Sequence, residues 1–233
     1  MNIRRVLLAC ALALPFLATA ADAAQFVVVE ARGIAMKVGA IVDPTKPLVL
    51  TQGQHLTLVS DTGQTIKLDG PYSKAPAAAQ GVQLAAAFGA LVTSQGGRAG
   101  EIGTTRGAGR VTLPSAWVLD ATHSGTVCLQ QGQQPVLWRP AAGANSVDIT
   151  IMPADRSWKA QAAWPKGAER LAVKSDVGMH GDASYFVVLN GNEAAMTVST
   201  IPAALTTDQM RAAWMLQKGC TPQAEALMRS ASK

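Results

Sequence analysis

Alternating and β-branched apolar residues define most of the elements that this sequence predicts. Residues 26–30 form an apolar run, and residues 56–60 alternate apolar and polar positions, which is the period of a half-buried strand. The Asp61-Thr62-Gly63 segment lies between the runs at 55–60 and 65–68 and predicts a three-residue hairpin loop. Shorter apolar runs predict further strands at 34–38 and 48–51. The first part of the chain is therefore predicted to form a small sheet.

The pattern changes after the first predicted sheet. Residues 75–92 are rich in alanine and carry apolar residues at helical spacing, which predicts a helix packed on that sheet, although Gly81 and Gly89 weaken it. Residues 95–115 are rich in glycine, arginine and threonine and have almost no apolar residues to bury. This segment is predicted to be a linker between two β cores.

The second half of the chain again has many short β-type runs. Strands are predicted at 117–121, 126–130, 135–139, 146–152, 158–164, 170–174, 185–189 and 194–199. The Asn190-Gly191 pair between the last two strands favours a type I′ hairpin turn, because that turn needs two positive φ angles. Short strands separated by regular turns predict an immunoglobulin-like β-sandwich over residues 116–204.

The last 29 positions, residues 205–233, carry helix signals. Thr206 and Gln209 have the spacing of a capping box, and Gly219 suits the position that follows a helix. The Thr221-Pro222 pair is typical of the start of a second helix. We therefore predict a helical hairpin with Cys220 in its turn, which packs over an open sheet edge or the end of the sandwich.

Residues 1–23 have the three parts of a secretory signal peptide: the basic Arg4-Arg5 pair, an apolar core, and small residues at two cleavage sites. The apolar core is shorter than the roughly 20 residues that span a bilayer. Two alternatives are a lipoprotein signal at Cys10 and a twin-arginine signal, but the apolar run continues past Cys10 and the arginine pair lacks the rest of its motif. We predict Sec export to the periplasm, with secretion as the alternative.

Composition narrows the classes of partner. Charged residues make up 15% of the chain and the net charge is +5, without a basic run, so nucleic-acid binding is not expected. No second apolar stretch approaches 18 residues, so a membrane-spanning segment is not predicted. Cys128 and Cys220 are an even pair in an oxidising compartment, which predicts a disulfide, with two free thiols as the alternative.

Parts of the sequence resemble known proteins. Residues 39–71, with Leu56-Thr57-Leu58-Val59-Ser60-Asp61-Thr62-Gly63 and Leu68-Asp69-Gly70-Pro71, resemble the small β-rich FecR-type periplasmic domain. The exported chain as a whole resembles an uncharacterised family of exported bacterial proteins, through residues 103–107, 125–128, 137–139, 164–165 and 214–227. The resemblance implies a FecR-like domain over residues 24–94, but it implies no activity. FecR sensors also carry a cytoplasmic segment and a membrane helix, so direct sigma-factor signalling is not expected.

Candidate chemistry is sparse. Asp120, His123 and Ser124 contain the letters of a catalytic triad, but they lie too close in sequence to converge, and no Gly-x-Ser-x-Gly motif is present. Met179-His180 suggests copper only weakly, because no Met-x-x-Met or His-x-His cluster accompanies it. We therefore predict no catalytic residues, no metal site and no cofactor.

The second module is rich in tryptophan. Core packing explains most of these residues, while Trp158 and Trp164 are predicted to be exposed and to bind a ligand or partner. The predicted function is a non-catalytic periplasmic binding or scaffold protein of the cell envelope, with an envelope protein or a glycan as partner. The alternatives are a cell-envelope hydrolase and a FecR-like sensory accessory protein.

Overall fold

A computed structural model describes residues 25–83, 111–140 and 145–231. The predicted signal peptide, residues 84–92 of the predicted helix and most of the predicted linker lie outside the described residues. The described part is mainly β, with several sheets and two C-terminal helices, as the sequence predicts.

The first sheet is antiparallel and has the strand order β2-β1-β3-β4-β5. Its strands are β1 (Phe26–Arg32), β2 (Ile41–Val42), β3 (His55–Ser60), β4 (Gln64–Asp69) and β5 (Val82–Gln83). Alternation places Val28 and Leu58 in one apolar cluster and Val27 and Val59 in another, so the sheet buries both faces. The loop after β3 turns through Gly63, whose φ is +79°. The strand predicted at 34–38 is wrong, and residues 48–51 contribute only an isolated bridge from Leu50.

The helix predicted from residue 75 is wrong over its described part. Pro76–Ala78 form a single 3₁₀ turn, after which Ala79 is extended and β5 pairs with β4. Gly81 approaches the Gln64 side chain so closely that a Cβ atom would clash with it. Backbone pairing to an open strand edge thus overrides the weak helix propensity of a segment that contains Pro76 and Gly81.

The second β segment forms two sheets around one core. The larger sheet has the order β10-β9-β12-β13-β7 and the smaller one β11-β8-β6. The strands are β6 (Leu119–Asp120), β7 (Gly125–Gln130), β8 (Val136–Trp138), β9 (Val147–Pro153), β10 (Ala160–Trp164), β11 (Arg170–Ala172), β12 (Ala183–Leu189) and β13 (Asn192–Ile201). Leu119, Leu137 and Val187 are fully buried between the sheets. Asn190 and Gly191 both have positive φ, which confirms the predicted hairpin turn.

The predicted helical hairpin is confirmed, with α1 at Asp208–Lys218 and α2 at Thr221–Ala231. The predicted cap is wrong by one residue: Thr207, not Thr206, accepts a hydrogen bond from the Met210 backbone N–H at 3.2 Å. Gly219 has a φ of +85° and ends α1, as predicted.

The hairpin lies between the two β segments. Val27 and Val59 of the first sheet, Trp214 of α1 and Ile201 of β13 belong to one continuous hydrophobic cluster. The Thr207 hydroxyl also donates to the Asp61 carbonyl at 2.8 Å, which attaches α1 to the β3–β4 loop. Among the described residues, no strand of one segment joins a sheet of the other, yet the two segments share this core.

The hairpin is tied to the second segment at Cys128, on edge strand β7. Cys128 and Cys220 form the predicted disulfide, with Cα atoms 5.9 Å apart. The buried Gln223 amide accepts from the Cys128 N–H at 2.6 Å and donates to the Cys128 carbonyl at 2.8 Å and the Ala116 carbonyl at 2.9 Å. Gln223 thereby replaces the neighbouring strand that an edge backbone lacks.

Removal of the disulfide is expected to destabilise the protein. The bridge closes a loop between residues 92 positions apart, so Cys128→Ser and Cys220→Ser should each lower the free energy of unfolding by about 2–5 kcal/mol. Urea denaturation of oxidised wild type and the two variants measures the loss. Two freely titratable thiols in native, unreduced wild type would contradict the assignment.

Loss of the Gln223 amide should also weaken the fold. Gln223→Ala leaves the buried Cys128 N–H without an acceptor, so we expect a loss of about 2–3 kcal/mol. Gln161→Ala, at an exposed position on β10, is the matched control and should lie within about 0.5 kcal/mol of wild type. Equal stability of the two variants would show that Gln223 does not support the β7 edge.

Candidate functional site

The clearest candidate site is a cleft at one end of the sandwich, which we call the amide cleft. Its polar lining contains four glutamines, Lys174 and His180, and its volume is about 540 Å³; the glutamines are Gln130, Gln131, Gln133 and Gln134. The buried side chains of Leu129 and Met179 also line it. This volume lies in the range of roughly 300–1,000 Å³ that is typical of ligand clefts.

The β7–β8 turn builds one wall of the amide cleft. Gly132 has a φ of +76°, and the Gln133 N–H donates to the Gln130 carbonyl at 3.0 Å, so the chain reverses within a few residues. The Gln134 side-chain amide donates to the Val173 carbonyl at 2.8 Å. Gln133 Oε1 is buried and has no hydrogen-bond partner among the described residues. On this wall the Gln134 amide is therefore held in place, while Gln133 Oε1 has no donor among the described residues.

Tyr185 fixes the opposite wall. Its hydroxyl accepts from the His180 backbone N–H at 3.0 Å and lies within donating distance of the Gly178 and His180 carbonyls, at 3.4 and 3.3 Å. The Trp158 ring packs beside Tyr185, with ring centroids 6.2 Å apart. Tyr185 is thus a positioning residue for the segment that carries Met179 and His180 into the cleft.

Gly181 and Thr200 join this wall to β13. A Cβ atom at Gly181 would collide with Thr200 Oγ1, so only glycine permits the observed approach. The Thr200 N–H donates to the Asp182 carboxylate at 3.0 Å, and Thr200 pairs with Leu129 across the β13–β7 ladder. The base of the cleft is therefore a hydrogen-bonded strand pair.

A smaller cavity, of about 250 Å³, is lined by the three residues of the triad types, Asp120, His123 and Ser124. His123 Nδ1 lies 2.8 Å from Asp120 Oδ2, and the other Asp120 oxygen accepts from the Thr122 backbone N–H. Ser124 Oγ instead accepts from the Ala195 backbone N–H at 2.9 Å. The structure thus brings Asp120 and His123 together, contrary to the expectation from their spacing, while Ser124 hydrogen-bonds elsewhere. An aspartate on Nδ1 orients the imidazole as it does in catalytic dyads.

The two tryptophans that were predicted to be exposed differ in the structure. Trp164 is 0% exposed, so its predicted exposure is wrong, and it has no surface with which to contact a partner. The Arg139 guanidinium lies 5.0 Å from the Trp164 ring centroid and donates to the Pro165 and Ala168 carbonyls. Trp164 therefore covers a buried cation, a role that its neighbours in sequence do not reveal. Trp158 is half-buried against Tyr185, and its binding role stays a prediction.

Other candidate chemistry is not assembled in the described residues. They contain no group of three or more His, Cys, Asp or Glu residues placed to hold a metal ion. Met179 lines the amide cleft and shares a core cluster with Met196, whereas Met210 belongs to a different cluster, so these three methionines are not grouped around Met179-His180. No helix in the described ranges is long and apolar enough to cross a membrane.

No protein-family model, no curated protein and no solved structure matches this chain. The amide cleft was not predicted from the sequence, because its walls come from turns that are about 45 residues apart in the chain. The available signal was the Gln-Gln-Gly-Gln-Gln run at 130–134, which places four amides around one turn glycine.

Truncation of the two tryptophans should separate their roles. Trp164→Ala removes a fully buried side chain and uncovers Arg139, so the free energy of unfolding should fall by about 3–5 kcal/mol. Trp158→Ala should lose less, because Trp158 is half-buried. Urea denaturation with circular dichroism measures both values. A loss at Trp164 below that at Trp158 would contradict the assigned burial.

Proposed function

We propose that this protein is a non-catalytic binding protein of the bacterial cell envelope, exported to the periplasm, whose ligand enters the amide cleft. The observation that carries the proposal is the convergence of four glutamine side chains, Lys174 and His180 on one cleft of ligand size. Polar groups that converge on one cleft beside apolar side chains are typical of a ligand site.

The compartment is part of the proposal. The leader pattern of residues 1–23 supports export, and the Cys128–Cys220 bridge fits an oxidising compartment. A glycan or an envelope protein is the class of partner available there.

The finer fold assignment belongs to the same proposal. Two sheets around one core support an immunoglobulin-like sandwich over residues 116–204. Tyr185 adds support. It lies near the start of β12, and its hydroxyl accepts from the His180 backbone N–H five residues upstream, as the tyrosine corner of such sandwiches bonds to upstream backbone. For the first sheet, the sequence resemblance of residues 39–71 supports a FecR-like domain.

Capture from an envelope extract tests the binding role. Immobilised wild type should retain a component that the double variant Gln133→Ala/Lys174→Met does not retain. The matched control Gln161→Ala/Lys159→Met removes the same groups outside the cleft and should behave like wild type. Equal retention by all three proteins, each with native circular dichroism, would place binding elsewhere.

The hydrolase alternative rests on one observation, the Asp120–His123 hydrogen bond in a cavity also lined by Ser124. In a strain that lacks the protein, the triple variant Asp120→Ala/His123→Ala/Ser124→Ala should complement the loss of the protein as fully as wild type does. Failure of the folded triple variant, with full rescue by the amide-cleft variant, would favour the hydrolase.

A further inference from the structure

We infer that the ligand of the amide cleft is an oligosaccharide that carries a carboxylate group. This inference rests on the proposed binding function and names the chemistry of its ligand.

The polar wall matches a chain of hydroxyl groups. A glutamine amide offers an acceptor and two donors in one plane, and each sugar hydroxyl both donates and accepts. Gln130, Gln131, Gln133 and Gln134 bring four such groups to one wall, with the hydroxyls of Ser175 and Thr200 nearby.

The aliphatic part of the lining matches the other side of a sugar ring. Leu129 and Met179 are both nearly buried, and both line the cleft together with the amides. A pyranose ring presents C–H groups on its faces and hydroxyls at its edge, so it can cover these aliphatic side chains while its hydroxyls meet the glutamines. A strongly apolar ligand would leave the amides without partners.

The strand pairing argues against an extended peptide. Peptides commonly bind by adding a strand to an open sheet edge, where the backbone supplies most of the hydrogen bonds. Thr200 pairs with Leu129, and the Thr200 N–H is bonded to Asp182, so this backbone is already hydrogen-bonded on the β13 side of the cleft. A peptide therefore cannot pair with the Thr200 N–H, whereas a sugar can bind through the glutamine side chains that line the cleft.

The charge of the cleft indicates an acidic sugar. Lys174 is the ionised side chain among the described residues that line it, and none of those residues is Asp or Glu. A ligand carboxylate near Lys174 would form a charge-assisted hydrogen bond, which is stronger than a neutral one. A positively charged ligand would find no counter-ion in this lining.

Titration calorimetry with three probes tests the inference: a uronic-acid hexasaccharide, a neutral glucose hexasaccharide and an acidic hexapeptide. We expect the uronic-acid probe to bind most tightly. Gln133→Ala should weaken both sugars about five- to tenfold. Lys174→Met should weaken only the acidic sugar, by a similar factor, and Lys159→Met should change neither.

The outcomes separate the inference from the proposed function. Tighter binding of the neutral sugar or of the peptide, or an equal effect of Lys174→Met on both sugars, would overturn the acidic-oligosaccharide class. If none of the probes binds while the cleft variant still loses capture from envelope extract, the inference is wrong and the binding function stands. If cleft variants change neither measurement, both fail.

Discussion

The attachment of the helical hairpin at Cys128 is the constraint on which the rest of the structure depends. Strand β7 pairs with β13 on one side and would otherwise leave its second edge open. The disulfide and the Gln223 amide act on the same residue, one through the side chain and the other through both backbone groups. The covalent bond restricts the unfolded chain, while the amide satisfies the buried backbone of the folded one.

This attachment determines where the first sheet lies. With α2 fixed against β7, α1 presents its buried face to β3 and β4, and Trp214 joins Val27 and Val59 in one core. Residues of both β segments pack against the apolar side chains of the two helices in this cluster. The amide cleft begins directly after Cys128, at Leu129 and Gln130, so the same attachment also holds one wall of the candidate site.

The sequence predicts those features that depend on neighbours along the chain. Alternation locates β3 and β4, the Asn190-Gly191 pair locates the last β-hairpin, and the even cysteine count predicts the bridge. Features set by distant groups are not predictable in this way. Residues 82–83 form a strand because β4 has a free edge, and Trp164 is buried because it packs in the sandwich core with Arg139 on its ring. The amide cleft unites two turns that only the folded sandwich brings together.

Native-state hydrogen exchange, resolved by residue, tests most directly whether the hairpin and both β segments form one cooperative unit. In oxidised protein, the amides of Cys128, Trp214 and Leu58 should exchange with the same free energy of opening, because Cys128 and Trp214 share one core with Val59, the neighbour of Leu58 on β3. Exchange of Trp214 through a separate opening of lower free energy, while Cys128 and Leu58 stay protected, would show that the hairpin does not hold the two segments together.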